Sequence, residues 1–178
     1  MISARAQHAL EEVFVLSVKN SIAQNAGDTV HVNSLGCLPQ LHAKQKFMQV
    51  LTISSCMFRT MLVFYVADNA DMHGYFGKGG QQIEDVFAEI VNLCGGEFNR
   101  HMGNQFDYLG MSTPYTLKTS SAHYLQSLNP TLLTSYDITV NGGVGLQASL
   151  CVTANTPLDF AIDLSSAEQV AGGELELF

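Results

Sequence analysis

Gln81-Gln82-Ile83-Glu84-Asp85-Val86-Phe87-Ala88-Glu89-Ile90-Val91-Asn92-Leu93-Cys94-Gly95-Gly96-Glu97-Phe98-Asn99-Arg100-His101-Met102 is the stretch from which the fold is read. Its apolar residues Phe87, Ile90, Val91, Cys94 and Phe98 recur at three- and four-residue steps, which puts one apolar stripe on an α-helix. An earlier stretch, Ala4 to about Asn25, carries Leu10, Val13, Phe14, Val18 and Ile22 at the same steps and closes near Gly27. The two stretches also share residues. Glu11-Glu12-Val13-Phe14 matches Glu84-Asp85-Val86-Phe87 at an offset of 73, and Leu35-Gly36-Cys37-Leu38-Pro39 resembles Leu109-Gly110-Met111-Ser112-Thr113-Pro114 at 74.

Each helix is followed by strand signals. Phe47–Ser54 and Arg59–Val66 are rich in β-branched and aromatic residues and close enough to pair as a hairpin. Tyr136–Val140 and Leu146–Thr153 form a second hairpin, whose turn Asn141-Gly142-Gly143 supplies residues that tolerate positive φ. Between them, Gly110–Thr119 is read as a Pro-containing segment and the chain to Thr131 as a polar stretch. The expected fold is α+β: a single domain over 1–178 with an internal pseudo-repeat at about 4–67 and 77–153. In it, two long helices pack on one shared, largely antiparallel sheet.

The 178 residues are 47% hydrophobic and 13% charged, with a mean hydropathy of +0.13, enough apolar material for a core and too much for a disordered chain. The longest apolar run, Met61 to Ala67, falls well below the roughly 20 residues of a membrane span. The N-terminal residues show no apolar leader, so the expected location is the cytoplasm. A net charge of −8 with scattered Lys and Arg disfavours nucleic acid and anionic membranes as partners. Cys37, Cys56, Cys94 and Cys151 lie far apart in apolar surroundings and are expected to be buried free thiols.

On the second helix, at about 100° per residue, Asp85, Glu89, Asn92 and Gly96 fall within an arc of about 60° opposite the apolar stripe. A carboxylate and a carboxamide one turn apart on a rigid element can present a charge and a donor/acceptor group to one bound object. Gly96 leaves bare backbone for close approach, and Gly95 points to close contact with the sheet. Spacing alone also fits the polar face of any amphipathic helix.

Asp85-Val-Phe-Ala-Glu89-Ile-Val-Asn92-Leu-Cys-Gly-Gly96, followed by Pro114, resembles the signature of the CheC/CheX/FliY chemotaxis phosphatases: Asp or Ser, three residues, Glu, two residues, Asn, and a Pro farther on. Here 21 residues separate Asn92 from Pro114, one fewer than in the signature. The resemblance implies hydrolysis of the aspartyl phosphate on a CheY-like response regulator receiver. Asn92 would orient the attacking water and Glu89 would pair with the receiver's Lys, with Asp85, Gly96 and Pro114 as partner-binding positions. It implies no cofactor of the chain's own, the Mg²⁺ residing in the receiver, and a CheX-like homodimer. At an offset of 73, Leu16 and Lys19 stand where Glu89 and Asn92 would be, so the first helix is expected to be a structural copy without a site. A non-catalytic adaptor or sensor of the same fold is the alternative.

Other motifs carry less. Gly74-Tyr-Phe-Gly77-Lys78-Gly79-Gly80 lacks the Gly-Lys-Ser/Thr of a P-loop and reads as a lead-in loop. His73 and His101 read as surface residues, and Met57, Met61 and Phe64 as core.

Overall fold

The computed structural model describes residues 1–36, 45–77 and 80–164. Helix α1 (Ala4–Ile22) starts at Ser3, whose side chain accepts from the Ala6 amide at 3.1 Å. Strand β1 (Val30–Ser34) follows, then the hairpin β2 (Gln45–Ser54) and β3 (Phe58–Ala67). Short α2 (Ala70–Phe76) and long α3 (Ile83–Gly103) lead to the edge strands β4 (Gly110–Met111) and β5 (Tyr115–Lys118). A 3-10 helix (Thr119–Leu128) precedes the second hairpin, β6 (Leu132–Val140) and β7 (Val144–Ala154).

The pairings among the described strands are antiparallel, in the order β1-β6-β7-β3-β2-β4, with β5 also on β2. The expected α+β architecture is present. Its two hairpins meet at the centre through β3 and β7, from Phe58 opposite Ala154 to Tyr65 opposite Gln147. The outer strands are exchanged: β1, next in the chain after α1, pairs with β6, whereas β4 and β5, which follow α3, pair with β2. Each helix–strand pair is thereby built into the other hairpin's side of the sheet.

The main core lies between the helices and one sheet face. Phe14 of α1 is fully buried and sits 6.3 Å from the Phe64 ring and 5.2 Å from Tyr136, touching both hairpins. At the far end, α3 receives Phe76 of α2 against Phe87, edge to face at 4.9 Å. The opposite sheet face is covered at one place by the 3-10 helix, where Ala122 and Leu125 meet Met48, Val50, Val63 and Tyr65.

Several sequence expectations need correction. The segment from Asp68 onward is not merely a loop: Asn69 caps α2 by accepting from the Met72 amide at 2.9 Å, and Met72 and Phe76, one turn apart, bury the helix on the core. Lys78 and Gly79 of that motif, like Cys37, Leu38 and Pro39 of the second repeat match, lie outside the described residues. Cys94 and Cys151 are buried free thiols, but Cys56 is exposed. Met57 is also exposed, because both sit in the β2–β3 turn, where Ser55 Oγ accepts from the Met57 and Phe58 amides. His101 is buried rather than superficial, as it continues the α3 stripe after Cys94 and Phe98. Arg100 donates to its Nε2 at 3.2 Å, which requires an unprotonated nitrogen there. Burial, then the Arg100 charge, hold the imidazole below its ordinary value.

Candidate functional site

Helix α3 is a rigid platform because both its dipole and its seat are satisfied. Glu84 and Asp85 occupy its first turn and Arg100 and His101 its last, the signs that complement a helix macrodipole. Near its start, buried Gln49 of β2 donates to the Glu84 carbonyl at 3.0 Å and to Thr116 Oγ1 at 2.8 Å, tying helix, β2 and β5 together. In its middle, Gly95 rests on Leu51: a Cβ there would lie 2.7 Å from both Leu51 methyls. Farther along, Asn20 of α1 donates to Glu97 at 2.6 Å. Cys94 is no nucleophile, since burial pushes its thiol up to about 12.

On the outer face, Asp85, Glu89 and Asn92 are all exposed, and none makes a side-chain hydrogen bond or ion pair with a described residue. Gly96 is half-buried, and an added Cβ there would meet nothing within 4 Å. The two adjacent glycines thus differ in kind. Gly95 is required by the fold, whereas nothing inside the chain requires Gly96. Gly95→Ala is expected to destabilise the protein by about 1–3 kcal/mol through overpacking against Leu51. Gly96→Ala should stabilise it by up to about 1 kcal/mol, the helix-propensity gain. Urea unfolding of the two variants checks the opposite signs; equal shifts would remove the distinction.

Pro114 is half-buried between β4 and β5. Met111 faces Ile53 and Tyr115 faces Val50, so three residues, 112 to 114, oppose two, Leu51 and Thr52. This is a β-bulge on an edge strand, a place that tolerates proline's missing N–H. Ser112 restores the pairing: its amide donates to the Thr52 carbonyl at 2.9 Å, and its Oγ accepts from the Thr52 amide at 3.0 Å. The bulge therefore lies beside Leu51, the residue on which Gly95 rests.

Two features were not anticipated. Leu93, next to Asn92, is 57% exposed and adds an apolar contact to the polar line; its signal in the sequence is a leucine off the apolar stripe. At the N-terminal end, a hollow of about 410 Å³ is lined by Lys46, Asp68, His73, Gln82, Glu84 and Asp85, among others. Asp68 accepts from Lys46 and, at 2.6 Å, from His73, and these two partners, Lys46 first, hold its carboxyl below the usual range. Among the described residues no cluster of His, Cys, Asp or Glu could hold a metal ion, and no helix is long and apolar enough to cross a membrane.

The first helix offers a comparison. The buried positions Ala6, Ala9, Leu10, Val13, Phe14, Ser17, Val18 and Ser21 coincide with Ile83, Val86, Phe87, Ile90, Val91, Cys94, Gly95 and Phe98 at an offset of 77, and Asn20 faces Glu97 at that same offset. The sequence match at 73 lies one turn away and superposes the buried sets almost as well, Leu10, Val13, Phe14, Ser17, Val18, Ser21 and Ile22 falling on Ile83, Val86, Phe87, Ile90, Val91, Cys94 and Gly95, because an amphipathic helix nearly repeats itself every four residues. At 77 the counterparts of Glu89 and Asn92 are Glu12 and Val15, and Glu12 is engaged by His8 at 3.2 Å. At either offset α1 has no carboxamide at the position corresponding to Asn92.

No protein-family model matches the sequence, nor does any curated protein. Solved structures do. A CheC-like superfamily protein from Shewanella sp. PV-4 is 12% identical, with a TM-score of 0.59 over 82% of this chain and 98% of that one. The chemotaxis protein CheX from Vibrio vulnificus is 13% identical, with a TM-score of 0.55 over 80% and 98%. A CheX from Borrelia burgdorferi, solved as a CheX–CheY–BeF3–Mg²⁺ complex, is 7% identical, with a TM-score of 0.55 over 81% and 97%. The chain has the fold of the CheC/CheX-like chemotaxis proteins.

Proposed function

We propose that the protein hydrolyses the aspartyl phosphate of a CheY-like receiver, with Glu89 and Asn92 as the working pair. The observation that carries this reading is the pair itself: a carboxylate and a carboxamide one turn apart, exposed and without partners among the described residues, on a helix fixed at Gln49 and Leu51. An acyl phosphate is already activated, so a water held in line with the departing carboxylate suffices. The Asn92 amide orients that water; its oxygen attacks phosphorus, the bond to the aspartate oxygen breaks, and the water's protons pass to solvent and product. Glu89 grips a lysine of the receiver. The Mg²⁺ of this reaction belongs to the receiver, in keeping with a CheX neighbour captured with CheY, BeF3 and Mg²⁺. Exposed Leu93 and the bare backbone of Gly96 flank the pair as docking surface, and a CheX-like homodimer in the cytoplasm is part of the same reading.

The test is the rate at which purified protein removes phosphate from the host's phosphorylated receivers. Acceleration supports the reading; binding of a phosphorylated receiver without acceleration makes the protein an adaptor. The division of labour is checked separately. Glu89→Gln should weaken association with a receiver several-fold and flatten its dependence on salt between about 50 and 300 mM, since one screened charge pair is lost. Catalysis in the saturated complex should be largely retained. An unchanged salt profile would contradict the role given to Glu89.

A further inference from the structure

On the sheet face turned away from α1 and α3, beyond the cap formed by the 3-10 helix, lies a groove of about 640 Å³. Its floor is set by strand register. Arg59 of β3 stands between Ser54 of β2 and Thr153 of β7; one step along, Met61 stands between Thr52 and Cys151. Paired residues in an antiparallel sheet share a face, so a cation flanked by two hydroxyls lies next to a more apolar row. Tyr115 and Leu128, 41% and 49% exposed, form apolar walls. The groove is polar at the Arg59 end and apolar at the other.

Its charge runs against that of the molecule. The chain carries a net charge of −8, yet among the described residues no acidic side chain lines this groove. Arg5 is paired with Asp159 at 2.9 Å and Arg100 lies 3.7 Å from Glu97, whereas the Arg59 guanidinium makes no ion pair or hydrogen bond with a described residue. A guanidinium presents a planar set of donors suited to two oxygens of a carboxylate or phosphate. A groove of this volume, with polar groups around Arg59 at one end and the apolar Met61, Tyr115 and Leu128 beyond them, has the dimensions of small-molecule sites.

We infer that this groove binds a small organic anion, a carboxylate or phosphate monoester carried on an apolar body. The oxyanion sits on Arg59 with Ser54 and Thr153 as further donors, and the body lies against Met61, Tyr115 and Leu128. The site is on the opposite sheet face from the α3 platform, so its failure or success leaves the reading of Glu89 and Asn92 untouched.

Titration of the ¹⁵N-labelled protein by NMR tests it with four probes. Benzoate and phenyl phosphate carry head and body, inorganic phosphate the head alone, and benzyl alcohol the body alone. At least one of the two aromatic anions should shift the amides of Arg59, Met61 and Thr153 saturably, with a Kd of about 1 mM or tighter; the tighter one identifies the head group. Benzyl alcohol and inorganic phosphate should bind at least tenfold more weakly. Arg59→Gln should keep a folded spectrum, since the exposed side chain bonds to no described residue, and weaken the preferred anion at least tenfold. Benzyl alcohol binding as well as benzoate, undiminished affinity in Arg59→Gln, or no saturable shift from either aromatic anion by about 10 mM would overturn the proposal.

Discussion

Asn92→Ala is expected to leave the protein folded and to remove at least about a hundredfold of its acceleration of receiver dephosphorylation, which corresponds to about 2.7 kcal/mol of barrier. The two halves of this expectation have separate causes. The Asn92 side chain is exposed and bonds to no described residue, so folding should change by no more than about 0.5 kcal/mol. Catalysis loses the group that holds water in line, for which a methyl offers no substitute. Rates are to be measured at saturating Mg²⁺ with variants whose unfolding midpoints and oligomeric state match the parent. Lys19→Ala on α1 is the control and should stay within about twofold. An Asn92→Ala protein as active as the parent would remove hydrolysis from this helix; a comparable loss from Lys19→Ala would place the site on the wrong helix or on both.

Phe14→Ala should have the largest effect on stability, about 3–5 kcal/mol. Its ring is fully buried and touches Phe64 of the first hairpin and Tyr136 of the second, so truncation opens a cavity where both hairpins meet α1. Against a total of about 5–15 kcal/mol for a domain, that brings the protein close to unfolding at 37 °C. Equilibrium denaturation by guanidinium, followed by far-ultraviolet circular dichroism, measures it. A loss below about 1 kcal/mol would show that α1 is not an integral part of the core.

Strong periodicity is what made the fold legible. Both long helices and both hairpins lie where their stripes and alternations place them, and the left-handed backbone expected in the β6–β7 turn is present at Asn141 and Gly142, with φ of 50° and 68°. What was missed has little periodicity to offer. β5 (Tyr115-Thr116-Leu117-Lys118) is exposed throughout, so its pairing with β2 leaves no alternation in the sequence. β1 has only Val30 and Val32 turned inward. The 3-10 helix buries only Ala122 and Leu125, too few for a stripe. The α3 polar line was legible because helix geometry alone fixes which side chains share a face. The seat beneath it was legible only as a glycine: nothing in the sequence says that Gly95 meets Leu51 or that Gln49 reaches the Glu84 carbonyl. Register between the helices was beyond reach for a related reason, since a four-residue slip preserves most of the apolar stripe.

The exchange of outer strands sets the order in which the chain can assemble on the ribosome. After Phe14 emerges, Phe64 follows 50 residues later and Tyr136 122 residues later. At about 5–20 residues per second, the apolar stripe of α1 waits roughly 6–25 s for its second hairpin. β1 has no described strand partner until β6 is made. A nascent chain of this topology therefore displays an unsatisfied helix and an open strand edge until the second hairpin is made, and its yield in the cell should depend on chaperone supply more than the stability of the finished domain would indicate.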